Sequence, residues 1–438
     1  MSGSNTPSTA PTAPKPAGTA RVSAESAVML LLGKVFTLGT LLLLSGMLAL
    51  DAFGAFMYAR GMVLFLGPFM ALGLTVTAMR RIPPYIDAGD YGRAKGFIRT
   101  IFWVALTVAS VTALVLVFGA PQALEPDLAT PLRIAILALP AFALMTALMQ
   151  VARAAGRVRL AYAPLNVGQP LAFALCAFAA VLVFDVADAN TLAAILAITM
   201  CASALIQAWN VLRLDMLRPA KIVSDATLWL REAVPLTLSL AAQGLTAFGP
   251  LLILGLFVQG GEIGIFGFYQ TVMQGLLVFN TSIFGAVNPK LSVAISRNDR
   301  PTALGLLRKW RLVAFGISAV GGVVAWLLVI YFGDLIQPAF TTEGLALALL
   351  LSSVAINGLS GPLGHVLIIE GRSHWEITSQ VGAALLTACL AFLLIPTWSL
   401  TGAAFATATG AAVRAIAVHS LVYLKLNYAK VAPGGPDA

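Results

Sequence analysis

Charge is scarce in this chain. Only 10% of its 438 residues are Asp, Glu, Lys or Arg, while 59% are hydrophobic and the mean hydropathy is +0.91. Soluble domains carry roughly a quarter charged residues, and no water-facing globule could hide this much apolar side chain. A soluble enzyme and a disordered chain are both excluded. Cysteine is nearly absent. Cys176, Cys201 and Cys389 lie far apart, each inside an apolar run, which excludes a disulfide scaffold. Histidine is limited to His365, His374 and His419, none at metal-ligand spacing. There is no Gly-x-x-x-x-Gly-Lys-Ser/Thr loop and no Gly-x-Ser-x-Gly elbow. The longest outward connections, near 120–131 and 333–343, are too short for an extracytoplasmic catalytic domain. No metal, no cofactor and no catalytic residue is expected.

Apolar length is what the chain has in abundance. About twelve runs are long enough to span a bilayer as helices, at 27–50, 54–79, 97–119, 132–152, 160–184, 190–212, 228–257, 263–288, 310–332, 344–369, 375–396 and 401–424. They end at punctuation such as Arg80-Arg81-Ile82-Pro83-Pro84, Pro121, Pro219 and Asn288-Pro289. The Ser-, Thr-, Ala- and Pro-rich residues 1–24 are expected to be a disordered tail without a cleavable signal.

The basic excess of +9 then records orientation. Of the 27 Lys and Arg, all but Lys34, Arg60, Arg133 and Arg414 fall on the even-numbered connections, on the run ends adjoining them (Arg99, Arg231 and Arg311) or on the two tails. The odd-numbered connections carry Asp51, Glu125, Asp127, Asp185, Asp188, Glu262, Asp334 and Glu343 instead. Both tails are therefore expected on the cytoplasmic side, and no nucleic-acid partner is needed.

The chain also repeats itself. Gly54-Ala55-Phe56-Met57-Tyr58 opens the second run and Gly264-Ile265-Phe266-Gly267-Phe268-Tyr269 opens the eighth; Ala155-Gly156-Arg157 precedes the fifth and Glu370-Gly371-Arg372 the eleventh. The offset is about 205–215 residues, half the chain. Six runs per half give a parallel repeat with a cleft between two bundles. The expected fold is an all-α polytopic membrane protein of about twelve transmembrane helices in two six-helix lobes. Its units are a tail (1–24), an N-terminal lobe (25–212), a cytoplasmic linker (213–227), a C-terminal lobe (228–425) and a second tail (426–438).

Cations inside spans point to the site. A charge at the bilayer centre costs about 2.5–3.5 kcal/mol and normally faces a cavity or a partner. Lys34 lies about 10 Å into the first run at 1.5 Å per residue. Arg60 is near the outer end of the second run, and both side chains are long enough to snorkel. Arg133, at the start of the fourth run, reads as interfacial. Arg414 is mid-run and shares a helix face with Gly402, Ala406 and Gly410. It points into protein or a cavity, the competing reading being a structural salt bridge. Amides recur in the runs: Gln150, Asn166, Gln169, Gln243, Gln270, Gln274, Asn280 and Asn357. They suit sugar hydroxyls and equally suit helix–helix hydrogen bonds. No deeply placed carboxylate is expected, since Asp51, Glu262, Glu232 and Glu370 sit near span ends. That argues against a cation-coupled drug antiporter and for an anionic substrate.

Gly54 to Tyr58, Arg80 to Ala94, Glu370-Gly371-Arg372, Leu394-Ile395-Pro396 and Gly402 to Thr407 together resemble the Wzx-type oligosaccharide flippases of the multidrug/oligosaccharidyl-lipid/polysaccharide (MOP) superfamily. The likeness runs over about residues 27–425. It implies transfer of an undecaprenyl-diphosphate-linked oligosaccharide from the inner to the outer leaflet of a bacterial inner membrane. The lipid-linked substrate, the bilayer and polysaccharide polymerase machinery are the implied partners. It also implies a cationic central cavity, whose region in the first two spans matches Lys34 and Arg60. Arg414, Gln243 and Asn280 complete the expected substrate contacts. A small-molecule or drug antiporter and a membrane-embedded glycan-modifying enzyme are the alternatives. Reporter fusions after Asp127 and Asp188 should read as outside, and those after Arg93 and Arg218 as inside; one clear reversal breaks both the topology and the repeat.

Overall fold

The computed structural model describes residues 16–119, 124–213, 221–258 and 260–425. Among the described residues the secondary structure is helical, with no strand. The first half is built from α1 (Pro16–Met47), α2 (Leu50–Leu66), α3 (Leu74–Asp87), α4 (Tyr91–Gly119), α5 (Pro126–Ile136), α6 (Leu139–Ala154), α7 (Val158–Tyr162), α8 (Gln169–Leu182) and α9 (Ala189–Leu212). The second half has α10 (Ala226–Leu254), α11 (Gly260–Ser296), α12 (Arg300–Phe332), α13 (Gly344–Ser360), α14 (Leu363–Ile369) and α15 (Ser373–Ser420).

Ten helical stretches are long and apolar enough to cross a membrane, and α5 with α6, bent by 45°, makes an eleventh. The last stretch is itself double. Ser399 in α15 is non-helical (φ 45°, ψ −123°), and the helix folds back there. A Cβ on Gly410 would sit 1.8 Å from the Thr387 hydroxyl, so the two arms pack against each other. With α15 counted as two arms, the expected twelve segments are present. The small-residue face read from the sequence is the face that meets the other arm.

Several boundaries differ from the sequence expectation, among them the end of the eighth run, where α11 continues through Pro289 to Ser296. α1 begins at Pro16, so helix covers the end of the segment expected to be disordered. Ala17, Ala20 and Ala24 favour helix, and Glu25 on the next turn pairs with Arg159 at 3.0 Å. Residues 1–15, 214–220 and 426–438, which include most of the expected tails and linker, lie outside the described residues. The second run does not end at its proline pair either. It breaks earlier, at a 3-10 turn (Gly67–Phe69) and at Gly73 in left-handed conformation (φ 76°). α3 then continues through Pro83 and Pro84 to Asp87. Pro68 removes a backbone donor where the helix is buried. The carbonyls left unpaired by Pro83 and Pro84 belong to Met79 and Arg80, which are exposed.

The halves meet along α2 and α11. A Cβ on Gly54 would fall 1.7 Å from the Gly260 carbonyl oxygen, so the two backbones touch directly. One turn further, Gly267 lies against the Met57 side chain. The two matched motifs of the sequence repeat thus pack on one another. The other end is tied by different means. Arg81 of α3 pairs with Glu232 of α10, Nε to Oε2 at 2.9 Å, and Arg93 binds Asp225 at 3.0 Å. Fully buried Trp229 donates its indole N–H to the Tyr85 hydroxyl at 3.0 Å and lies against Phe97. The ion pairs are exposed and each contributes little; the buried aromatic cluster carries more of this contact.

Gly54→Leu should force α2 from α11, an overpacking cost of about 1–3 kcal/mol or more. Thermal unfolding in detergent, followed by size-exclusion chromatography, should show a lowered midpoint for Gly54→Leu. Gly39→Ala, where no atom lies within 4 Å of the new Cβ, should leave it unchanged.

Candidate functional site

The site starts from a backbone contact. A π-helical turn, Ala163–Gly168, joins α7 to α8; Pro164 lies inside it and Pro170 follows it. Each proline removes a ladder donor, and a widened turn is a common outcome in helices that carry function. Asn166 donates its side-chain amide back to the Tyr162 carbonyl at 3.3 Å, across the first turn of this segment. α1 lies directly on this turn, because a Cβ on Gly33 would come within 1.7 Å of the Asn166 carbonyl oxygen. The next residue, Lys34, is thereby delivered beside Asn166.

Both line one cavity of about 330 Å³. Arg60 of α2, Gln169 at the start of α8 and Gln274 of α11 complete its polar wall. Thr37, Phe142, Phe173 and Phe248 contribute to the rest. Phe56 stacks on Phe173 at 5.6 Å and holds α2 against α8, one helical turn from Arg60. Lys34 is exposed to the cavity and its surroundings, and Arg60 is half-buried. Among the described residues neither has an acidic partner, and each feels the other's positive charge. Two cations at one cavity, without an acidic partner among the described residues, are what an anionic ligand would require. Three amides beside them offer both donors and acceptors to a hydroxylated ligand.

The other expected contacts lie elsewhere. Arg414 reaches across the α15 hairpin to Glu376, Nη2 to Oε1 at 2.5 Å. Its partner is a carboxylate only 12% exposed, which corrects the expectation that no span buries one. Glu376 sits in the first turn of α15, a position that reads as interfacial, but the second arm of the hairpin covers it. Arg414 thus takes the salt-bridge alternative and is absent from the cavity wall. Asn280 is fully buried and already committed: it donates to the Val354 carbonyl at 3.0 Å and accepts from Ser318 at 2.8 Å. It ties α11 to α12 and α13. Gln243 is exposed on α10, with Ser239 3.5 Å away, and also lies off the cavity wall. The sequence named Asn166, Gln169 and Gln274 only as recurring amides. The prolines flanking Asn166 and Gln169 were the signal that this stretch departs from a plain span.

The fold is that of a polytopic membrane protein, by the number of long apolar helices among the described residues. The profile of the polysaccharide biosynthesis protein family matches residues 23–294, and the chain belongs to that family. It superposes on an inward-facing multidrug resistance MATE family transporter of the MOP superfamily, with TM-score 0.72 and 14% identity, covering 94% of this chain and 98% of that one. The lipid II flippase MurJ in an inward closed conformation gives TM-score 0.70 and 12% identity, over 93% of this chain and 89% of that one. A MOP superfamily transporter from Pyrococcus furiosus, described by the reverse polarity of its binding pocket, gives TM-score 0.61 and 13% identity over 94% and 97% of the two chains. No curated protein matches the chain at a significant level.

Removing one member of a buried ion pair costs about 3–5 kcal/mol, because the other is left charged and alone. Arg414→Ala should therefore lower the amount of folded protein in the membrane. Arg414→Leu combined with Glu376→Leu should restore it, as read by immunoblot and detergent-solubilised thermal midpoint.

Proposed function

We propose that this protein is a flippase for an undecaprenyl-diphosphate-linked oligosaccharide, carried from the cytoplasmic to the outer leaflet of a bacterial inner membrane for surface polysaccharide synthesis. The observation that carries the reading is the cavity in which Lys34 and Arg60 stand among amides, without acidic partners among the described residues. A diphosphate neutralises both charges. The planar guanidinium of Arg60 can grip two phosphate oxygens in parallel, and Lys34 adds a mobile point charge. Asn166, Gln169 and Gln274 exchange hydrogen bonds with sugar hydroxyls. Membership in the polysaccharide biosynthesis protein family supports the substrate class, and the matched fold supports alternating access.

The cavity is walled by both halves, since Phe248 and Gln274 belong to α10 and α11. Relative rocking of the halves therefore changes which side the cavity faces. The contacts that must yield are the α2–α11 seam at the end carrying Asp51 and Glu262, and the Arg81–Glu232 pair at the end with most of the cations. By charge segregation the first end is outside and the second cytoplasmic, with both tails inside.

A deletion strain should accumulate the lipid-linked repeat unit in the inner leaflet and lose its surface polysaccharide. Complementation by Lys34→Ala or Arg60→Ala should fail at normal membrane abundance, while Arg60→Lys should retain partial export, measured as surface polysaccharide per immunoblotted protein. Normal glycan export with raised drug sensitivity in the deletion strain would establish the antiporter reading instead.

A further inference from the structure

The cavity has a fixed charge count. Its wall carries two cations, Lys34 and Arg60, and no carboxylate among the described residues. A diphosphate esterified at both ends bears one negative charge on each phosphate at neutral pH. A cavity loaded with it is electrically neutral, and no cation remains for a third negative charge. The other polar side chains of the wall, Thr37, Asn166, Gln169 and Gln274, are uncharged. They donate and accept hydrogen bonds, which matches a hydroxyl better than a carboxylate.

The two halves divide this wall unequally. Both cations come from α1 and α2, while α10 and α11 contribute Phe248 and Gln274. Attraction to the cations draws the diphosphate to the α1–α2 side. An aromatic ring and one amide are left to face what is attached to it, and neither offers a counter-charge. An acidic sugar there would give up hydration without gaining a partner, and it would lie close to the negative charges of the diphosphate. An uncharged sugar gives up only hydroxyl hydration, which amides replace, and its C–H face suits the ring of Phe248. We infer that the sugar enclosed with the diphosphate is uncharged, and that Gln274 sets this preference by standing, as a neutral amide, where a third cation would admit an acid. This rests on the proposed lipid-linked substrate. At about 330 Å³ the cavity is near the lower end of the roughly 300–1,000 Å³ of ligand pockets, so the preference applies to the sugar joined to the diphosphate and not to the whole repeat unit.

The test uses the full chain in phosphatidylcholine nanodiscs at neutral pH. The probes are radiolabelled undecaprenyl diphosphate carrying glucose or glucuronic acid, which differ only in a hydroxymethyl group against a carboxylate. The unmodified protein should bind the glucose form about tenfold more tightly. Gln274→Arg supplies the third cation and should bring the two forms within about twofold of each other. Gln274→Met removes the amide without adding charge, so it should weaken both forms and keep their ratio. Binding of inorganic diphosphate by both variants checks that Lys34 and Arg60 are still in place. If the unmodified protein binds the glucuronic acid form as tightly as the glucose form, the uncharged-sugar assignment fails and the substrate reading stands. If Gln274→Arg leaves the preference for glucose intact, Gln274 is not the selecting residue and that part of the inference fails. If the unmodified protein binds inorganic diphosphate but neither glycolipid, the substrate reading falls and the inference falls with it.

Discussion

A charge surrounded by hydrocarbon must find a counter-charge, a polar cavity or the surface, and this single constraint sorts the four cations of the spans. Arg133 is exposed on α5. Arg414 is neutralised by Glu376 across the α15 hairpin. Lys34 and Arg60 have neither escape, and both open onto one cavity. The rest of the N-terminal half is arranged to keep that cavity in place. The π turn at Ala163–Gly168, the backbone contact at Gly33 and the Phe56–Phe173 stack all fix its walls relative to the two charges.

The backbone obeys a parallel rule, since an unpaired carbonyl in lipid is as unwelcome as a bare charge. The helix irregularities therefore occur where something else can satisfy them. In the π turn that holds Pro164, the Tyr162 carbonyl receives the Asn166 side-chain amide. The break after Ser360, at Gly361 (φ 46°), places the Leu359 carbonyl where Arg311 donates to it at 2.5 Å. Pro83 and Pro84 fall where the chain is exposed. Proline thus has two separate consequences here: at Pro164 and Pro170 it shapes the cavity, and at Pro83 and Pro84 it is merely tolerated.

The fold was largely legible in the residues, and the site only in part. Apolar run length and charge segregation are additive along the chain, so they survive without knowledge of neighbours. That is why the spans and the Gly54 and Gly264 motifs could be read. Which polar group meets which is a property of packing between distant segments. Arg414 and Glu376 are 38 residues apart, and only the fold-back at Ser399 brings them together. Lys34 and Arg60 stand out in the sequence because depth alone marks a cation as costly, and the structure places both on one cavity wall. Asn280 was misread because a buried amide has the same sequence signature whether it meets a sugar or, as here, a serine and a carbonyl on adjacent helices.

The two halves share helices but not chemistry. In the second half Arg414 and Arg311 find their partners within that half. Arg414 is held by Glu376, and Arg311 is shared among the Leu359 carbonyl, the Tyr423 hydroxyl and His419. In the first half Lys34 of α1 and Arg60 of α2 have no acidic partner among the described residues. The second half gives the cavity only Phe248 and Gln274, an aromatic surface and one amide. An anionic headgroup in this cavity would be held electrostatically by one half and covered by the other. Rocking of the covering half would then leave the strongest contacts intact, so the orientation of the cavity could change without first releasing the charge that Lys34 and Arg60 neutralise. A symmetric division of cations would lack this property, because each half would pull on the ligand as the two separated.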